Sequence, residues 1–586
     1  MRRLRFVVLS SLFLAVIGLV SYRWAELLQR SVHAYASPLA SVSITPGEQL
    51  PGLTKRVVMV VVSGLSYRET VVQDMPTWQS LASVGASAPV QMRPPSYWPS
   101  VWAALLTGAE SETNRAPLLP SDVGNTSVLK TDNILAAAKE ADLRIAVAAS
   151  GNRASTFVSA VLDATYFTQS GQGEADAQVV EAALGFIAEQ SYHLIIVHLG
   201  LPDSVGQQHG TTGQAYRAAL RQVDSYVRQI VRQMILAESV LVLTSDSSLL
   251  SDGRPAGGLS DPPTLPLVMV GQGIVAGEYS PVRLSDIAPT LSALLGIRLP
   301  VMSGGRPLLD MMELQGDALT RCWLLLARQK VSLAEAYIRI LQYSPARELL
   351  QQDLHTATQS FRRSNNPGAI AAAQLVADEA TSFIASAKNA RIRAERWPRL
   401  LVFALGAVVP LLFFSIRRPT RLALILFAAI ATMAVLYALY GLGGQDFSFN
   451  ILSGVSDYFS MPLVRDALIG LMVGGLAILL GFLSNPPSRW QTVVTTTCDY
   501  ALLVCYLASL PALVAYWQHG AWVTWYLPDP FMLAWQALSL RHMTFLAVAS
   551  LPLPWLLGAI IWLNERRKVQ ISGRARAWDP IANLRR

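Results

Sequence analysis

The sequence predicts an α/β domain, with a sheet covered by helices, that is joined through a helical hairpin to a C-terminal multi-span α-helical membrane domain. Between residues 55 and 305, continuous β-branched runs alternate with helical segments, which is typical of strands buried on both faces. Mean hydropathy is +0.36 and charged residues make up only 15% of the chain, against about 25% in a typical globular domain. The excess apolar residues lie in one N-terminal segment and in the C-terminal third.

The N-terminal segment, residues 1–24, is predicted to be an uncleaved signal anchor. Its apolar run, residues 6–20, follows three arginines among the first five residues. A cleavage-like Ala34-Tyr35-Ala36 lies too far beyond this run to favour a cleaved signal peptide. Residues 25–54 are expected to link the anchor to the α/β domain.

The α/β domain is predicted over residues 55–305. Its first strand, Arg56–Val62, is a continuous β-branched run, and similar runs occur at Leu194–Leu199, Val240–Thr244 and Leu267–Val270. Strands that alternate with helices indicate an α/β sheet with helices packed on it. The predicted helical stretches are residues 76–86, 131–141, 174–190, 212–236 and 285–296.

Residues 306–395 are rich in Ala, Gln, Glu and Arg with helical periodicity, and Asn365-Asn366-Pro367-Gly368 is expected to divide them into a two-helix hairpin or stalk. A partner-binding coiled coil is the alternative for this segment. Five apolar spans are predicted within residues 396–565, followed by a basic tail at 566–586. The spans are expected near residues 398–415, 421–442, 464–484, 495–517 and 542–563.

The net charge of +8 is explained by membrane topology, because the arginines flank the predicted spans. They precede the first apolar run, separate two later runs and follow the last. This pattern predicts a multi-pass plasma-membrane protein with cytoplasmic termini and an extracytoplasmic head. The expected partners are the lipid bilayer and either a lipid head group or another membrane protein, with no nucleic acid. The 518–541 segment, rich in Trp and Tyr, is expected to lie outside as an interfacial amphipathic helix.

Five segments of the α/β domain, in chain order, carry a family resemblance: Ser63–Tyr67, Pro94–Gly108, His198–Gly210, Leu243–Ser248, and Leu265–Gly273 with Ser285–Thr290. They are similar to the strand-Asp-Gly-Leu, Leu-Leu-Thr-Gly, Asp-x-x-Gly-His-x-x-Gly, Thr-Ser-Asp-His-Gly and Asp-Ile-Ala-Pro-Thr motifs of the alkaline phosphatase superfamily, especially its phosphodiesterase, sulfatase-like and phosphoethanolamine-transferase branches. The resemblance implies an alkaline-phosphatase-like sheet and two-metal phosphoester chemistry.

The same resemblance implies that several metal ligands are replaced. Carboxylates and imidazoles must converge from strand ends to hold two metals. The aspartates of two motifs are present as Asp203 and Asp246, whereas Gln207 and Ser247 stand where the motifs have histidine. Ser63 occupies the position of the first-strand aspartate.

Two further positions bear on catalysis. The nucleophile position falls on Tyr97 when the segment is aligned on Pro99, and on Trp98 when it is aligned on Thr107-Gly108, which leaves Ser96 as the nearest small hydroxyl. His209 is the candidate substitute for the missing histidine at Gln207.

Each of these residues also has a structural interpretation. Asp203 and Asp246 are as typical of turn residues as of metal ligands. His209 is typical of a histidine in a solvated loop, and Tyr97 and Trp98 are typical of packed side chains. Cys322, Cys498 and Cys505 form no pattern typical of a zinc site.

The sequence leaves three hypotheses open. The first is a membrane-anchored pseudoenzyme whose head is a binding or assembly module without metal. The second is an active phosphoester hydrolase or lipid head-group transferase, in which Ser96 or Tyr97 is the nucleophile and Asp203, Asp246 and His209 hold one zinc or manganese ion. The third, a transporter subunit, is weakened by the scarcity of ionisable residues in the spans.

Overall fold

The computed structural model describes residues 2–72, 75–123, 129–151, 162–168, 173–343, 347–442, 448–452, 461–485 and 490–577. The chain divides into two compact units. The membrane unit comprises Met1–Val32, Glu395–Val523 and Phe531–Arg586, and the head unit comprises His33–Ala394 and Thr524–Pro530. Much of the segment between the predicted spans at 421–442 and 464–484, and the end of the 566–586 tail, lie outside the described residues.

The head unit is built on a mixed sheet of nine strands among its described residues, in the order β4-β3-β5-β1-β6-β7-β2-β8, with β9 paired to β2. Strand β7 runs antiparallel to β6 and β2, and the other pairings are parallel. The strands are β1 (Arg56–Val62), β2 (Ala86–Gln91), β3 (Ile145–Ala149), β4 (Ala164–Phe167), β5 (Leu194–Leu199), β6 (Ser239–Thr244), β7 (Leu265–Gly271), β8 (Gly277–Glu278) and β9 (Val282–Arg283).

The first strand confirms the prediction of a sheet covered on both faces. Every residue of β1 is buried, and the strand pairs in parallel with β5 on one side and β6 on the other. Alternate residues of β1 enter two different apolar clusters: Val57, Met59 and Val61 belong to one, while Val58, Val60 and Val62 belong to the other. Because both faces are covered, a continuous apolar run replaces the alternation of a half-exposed strand.

Helices connect the strands and cover the sheet, which confirms the α/β fold class. The first helix of the chain, α1 (Arg2–His33), lies almost wholly in the membrane unit. The head helices are α2 (Tyr67–Val72), α3 (Pro76–Val84), α4 (Trp98–Thr107), α5 (Ile134–Glu140), α6 (Gly173–Ala188), α7 (Leu201–His209), α8 (Gln214–Gln233) and α9 (Ile287–Leu295).

The predicted hairpin contains three helices instead of two. They are α10 (Gly316–Leu341), α11 (Arg347–Arg362) and α12 (Asn366–Arg417). The last begins at the Asn-Pro-Gly break that the sequence predicts, because proline is tolerated in the first turn of a helix. The chain also reverses after Leu341, where Gln342 adopts a left-handed conformation with φ of 53°. Helix α12 continues without interruption from the head unit into the membrane unit.

The membrane unit contains the remaining long helices, α13 (Leu422–Leu442), α14 (Met461–Ser484), α15 (Trp490–His519), α16 (Pro530–Ser550) and α17 (Leu553–Ala577). By length and composition, six helical segments among the described residues could cross a membrane. Their exposed apolar side chains, such as Ile416 and Phe427, are compatible with contact to membrane lipid.

The 518–541 segment differs from its prediction as an interfacial amphipathic helix. Its second half begins the long apolar helix α16, and residues Thr524–Pro530 cluster with the head unit. The Ser37 hydroxyl donates to the carbonyl oxygen of Trp525 at 2.6 Å, and the amide of Leu527 donates to the Glu112 carboxylate at 3.3 Å. Tryptophan-rich composition alone therefore did not identify the surface that this loop contacts.

Candidate functional site

Three strands of the sheet bring polar residues together at their carboxyl ends. In the sheet register, Val61 of β1 lies opposite His198 of β5 and Thr244 of β6. Ser63 follows β1 directly and Asp246 comes two residues after β6. Parallel strands place such residues at one edge, which is where ligands bind in open α/β sheets.

Ser63, His198 and Asp246 form a buried polar network. The Ser63 Oγ and His198 Nε2 atoms are 2.7 Å apart, and the same nitrogen lies 3.5 Å from Asp246 Oδ2. His198 Nδ1 is 3.0 Å from the carbonyl oxygen of Ser150, which can only accept, so Nδ1 carries a proton. In the neutral ring Nε2 therefore accepts from the Ser63 hydroxyl. All three side chains are at most 1% exposed.

The Asp246 carboxylate is held on both oxygens. Trp102 Nε1, on α4, donates to Oδ2 at 2.7 Å, and the Ser247 hydroxyl donates to Oδ1 at 2.9 Å. Ser247 Oγ in turn accepts from the backbone amide of Gly64 at 2.9 Å. The serine that stands at the motif's histidine position thus connects the ends of β1 and β6.

Asp203 lies beside this network, in the first turn of α7. It is buried, and Gln207 Nε2 donates to its Oδ2 atom at 2.8 Å. Gly64 has a φ of +78°, and a Cβ atom there would come within 2.6 Å of the Asp203 Cα atom. The turn after β1 can therefore press against α7 only because residue 64 is glycine. Tyr216 fixes the same turn by donating its hydroxyl to the Gly64 carbonyl at 2.6 Å.

The structure does not bring His209 to Asp203. His209 is exposed and is the last residue of α7. At 3.6 residues per turn, a residue six positions after Asp203 is rotated by about 120° around the helix axis, whereas Gln207, four positions on, shares its face. The glutamine that replaces the family's histidine is thus the residue placed to contact Asp203.

Ser96 and Tyr97 immediately precede α4, and both are buried. The Ser96 amide donates to the Gly257 carbonyl at 2.8 Å, while its hydroxyl has no hydrogen-bond partner among the described residues. Burial raises the pKa of the Tyr97 phenol above its usual value, which disfavours the phenolate that a nucleophilic tyrosine would require. Ser96 is therefore the better placed of the two predicted nucleophiles.

His198 and Trp102 are not among the site residues predicted from the sequence. A histidine in an otherwise apolar strand, one residue before its end, was the available signal for His198. Trp102 had no local signal, since an indole within an apolar helix is equally typical of packing.

The side chains around Asp246 do not fit a two-metal site. Among the described residues, no group of three or more His, Cys, Asp and Glu side chains is arranged to hold a metal ion. An indole N–H and a serine hydroxyl donate to the Asp246 carboxylate, and the indole nitrogen has no lone pair for a metal. Asp203 and Asp246 stand where the resembled motifs have carboxylates, and the side chains of Gln207, Trp102 and Ser247, which donate hydrogen bonds to them, are neutral.

Comparison with known proteins supports the superfamily resemblance of the head. Residues 113–297 match the family model described as Metalloenzyme superfamily, a segment that contains His198, Asp203 and Asp246. Over this segment the head thus resembles the Metalloenzyme superfamily.

Similar curated proteins include two 2,3-bisphosphoglycerate-independent phosphoglycerate mutases. The protein from Syntrophotalea carbinolica is 31% identical over 138 residues, or 22% of this chain and 26% of the mutase. The protein from Serratia proteamaculans is 30% identical over 135 residues, again 22% of this chain and 26% of the mutase. The chain thus spans about a quarter of the length of these relatives.

Similar solved structures include a protein of the alkaline phosphatase superfamily from Vibrio parahaemolyticus, with a TM-score of 0.35 and 15% identity over 49% of this chain and 78% of that one. Another is murine ectonucleotide pyrophosphatase/phosphodiesterase 5, with a TM-score of 0.35 and 10% identity over 44% of this chain and all of that one. Likeness at this level carries no conclusion about chemistry.

Proposed function

We propose that this protein is a membrane-anchored, alkaline phosphatase-like protein whose head has lost two-metal catalysis and serves as an extracytoplasmic binding or assembly module. In this proposal the protein spans the plasma membrane several times and both termini are cytoplasmic. The arginines that flank the apolar helices support this orientation through the positive-inside rule.

The observation that carries the proposal is the pair of hydrogen bonds that the Asp246 carboxylate accepts. Both of its oxygens already accept hydrogen bonds from neutral donors, Trp102 and Ser247, in a fully buried environment. A metal ion there would have to displace these donors and leave a buried indole N–H unpaired, which costs about 1–3 kcal/mol for each orphaned group. The replaced histidines remove the ligands that would offset this cost.

The proposal is tested on the full-length protein in detergent after loading with zinc and manganese. Elemental analysis is expected to find no metal above the level of an Asp246→Ala variant, and hydrolysis of phosphomonoesters and phosphodiesters is expected to equal that variant. A matched variant that restores the family's ligands, Ser63→Asp with Gln207→His and Ser247→His, provides the control for metal loading. Near two metals per wild-type chain, together with activity that Asp246→Ala abolishes, would overturn the proposal.

The second candidate is an active phosphoester hydrolase or lipid head-group transferase that uses one divalent ion. Both carboxylates favour it, as does the buried Ser96 hydroxyl, which has no hydrogen-bond partner among the described residues. Under this candidate, Ser96→Ala and Asp203→Asn each abolish turnover, whereas under the first neither changes a background rate. A Ser100→Ala variant, also with a buried hydroxyl that has no partner among the described residues, is the control for folding.

A further inference from the structure

A polar cavity lies within the head unit, and none of its lining residues belongs to the Asp246 network. Its volume is about 810 Å³, which is within the range of small-molecule sites. The ends of β2 and β9, the 304–306 loop, helix α10 and the first part of helix α12 form its walls. The residues that the argument uses are Arg283, Asp286, Arg306, Trp323, Lys330 and Asp378.

Lys330 of α10 is the unusual residue of this cavity. Its side chain is almost completely buried, with 5% exposure, although it lines the cavity wall. Its Nζ atom donates to the carbonyl oxygen of Gly304, which also lines the cavity. An ammonium group has three donors, and the other two have no partner among the described residues. A buried ammonium with spare donors is costly unless something pairs with it.

The Asp286 carboxylate, which also lines the cavity, does not supply that partner. Asp286 Oδ2 accepts from the amide of Arg283 at 3.0 Å, and Asp286 Oδ1 accepts from the amide of Arg306 at 2.9 Å. Backbone donors therefore satisfy both oxygens of the carboxylate. The same two hydrogen bonds help to hold Arg283 and Arg306 at the cavity wall. Guanidinium groups and an ammonium together form the donor set that recognises carboxylates and phosphates.

The acidic side chains of the wall limit what can bind. Asp310 and Asp378 are exposed, and Asp310 lies 3.5 Å from the Arg306 guanidinium. Two carboxylates at the opening repel a polyanion, so a ligand with a single anionic group fits the charge balance best. Trp323 adds an aromatic surface for the remainder of such a ligand.

We propose that this cavity binds a small ligand through one anionic phosphate or carboxylate group, which pairs with the Lys330 ammonium and the guanidinium groups of Arg283 and Arg306. None of the residues that line the cavity is Ser63, His198, Asp203 or Asp246. The proposal therefore does not depend on whether the Asp246 region has retained catalysis.

The test is equilibrium dialysis of the full-length protein in detergent against radiolabelled inorganic phosphate or radiolabelled acetate, at constant ionic strength. At least one of the two anions is expected to bind saturably at about one per chain. Lys330→Met, which keeps the length of the side chain without its charge, is expected to weaken binding by at least about tenfold, because a charge-assisted hydrogen bond is lost. Which anion binds identifies the chemical class of the ligand.

Lys139→Met is the matched control, because Lys139 pairs with Asp163 on the surface, away from the cavity, and its loss is expected to leave anion binding unchanged. If Lys330→Met does not fold, Arg306→Gln takes its place, since Arg306 is exposed and its substitution is expected to be tolerated while binding weakens. Equal binding by the wild type and a folded cavity variant, or saturable binding of neither anion, would overturn the proposal.

Discussion

The Ser63 hydroxyl and the His198 imidazole are joined by a 2.7 Å hydrogen bond between the ends of two adjacent parallel strands. The Ser150 carbonyl fixes the other side of the His198 ring. The ring therefore links the ends of β1, β3 and β5. The ring also packs edge-on against Trp102, with centroids 5.5 Å apart. The serine and the histidine at these two positions therefore belong to one buried hydrogen-bond network.

Replacing His198 with leucine is expected to destabilise the head by about 2–4 kcal/mol, because Ser63 and the Ser150 carbonyl lose their buried partner. Ser63→Ala removes only one hydroxyl and is expected to cost about 1 kcal/mol. Pulse proteolysis of the full-length protein across a urea series measures both effects. A double variant less destabilised than the sum would show the coupling of the two side chains. Additive effects, or a His198→Leu protein as stable as the wild type, would contradict the network.

Arg298 is expected to be the strongest single ionic contact in the head. Its guanidinium binds Asp132 at 2.7 Å and Glu140 at 2.5 Å, with 5% of the residue exposed. Arg298→Leu is expected to cost about 2–4 kcal/mol, less than for a fully buried triad because solvent reaches the Glu140 side chain. Arg328→Leu, which breaks one exposed pair with Glu48, is the control and is expected to change stability by less than about 0.5 kcal/mol. If urea titrations showed the same loss of unfolding free energy in both variants, Arg298 would not be the stronger ionic contact.

Stability and anion binding are expected to respond to pH in opposite directions through Lys330. Burial lowers the pKa of Lys330 from its ordinary 10.5 to about 8, opposed by Asp286, Glu110 and Asp378, whereas Arg283 lowers it further. Between these two pKa values the unfolded chain binds more protons than the folded chain, so this group makes the folded state more stable as pH rises from about 8 to 10.5. Phosphate or acetate needs the ammonium form, so its binding is expected to weaken over the same range.

Both pH effects are measured as differences from Lys330→Met, because other groups titrate in the same range. The urea midpoint of the wild type is expected to rise between pH 7 and 9.5 relative to the variant, while the anion affinity of the wild type falls. A wild type and variant with parallel stability curves would show that Lys330 keeps its ordinary pKa.

The proposed topology predicts which side of the membrane each unit faces. All three native cysteines are buried, so a single introduced cysteine can be labelled selectively. In intact cells, a membrane-impermeant maleimide is expected to label Gln222→Cys on the exposed surface of α8 and not Arg566→Cys in α17. Permeabilised cells are expected to give label at both positions. Labelling of Arg566→Cys alone in intact cells would reverse the orientation.

Much of the architecture could be predicted from the sequence, because strands and membrane spans depend on local patterns of apolar residues. The apolar run of β1 predicted a strand buried on both faces, and the structure confirms it. Five of the six predicted apolar segments reappear within single helices long enough to span a membrane, whereas the predicted span at 542–563 is divided between α16, which begins at Pro530, and α17. Hydropathy determines which segments are apolar enough to be buried in a membrane, but the residue at which a helix begins or ends depends on local capping and packing.

The polar network could be predicted only in part. The sequence identified Ser63, Asp246 and Ser247 from motif positions, and the structure brings them together. It could not identify Trp102 as the partner of Asp246, because the contact joins residues 144 positions apart. Nor could it find the cavity at Lys330, whose walls come from segments that are distant in the chain.

The sequence by itself determined the α/β head, the apolar spans and the presence of Gln207 and Ser247 where the resembled motifs have histidine, because periodicity, hydropathy and residue identity are local properties. The tertiary structure decided which groups now satisfy the remaining carboxylates, with Gln207 on Asp203 and Trp102 and Ser247 on Asp246. Strand register and helix packing determine these contacts, because a buried carboxylate is paired by whichever donors the fold places within hydrogen-bond distance.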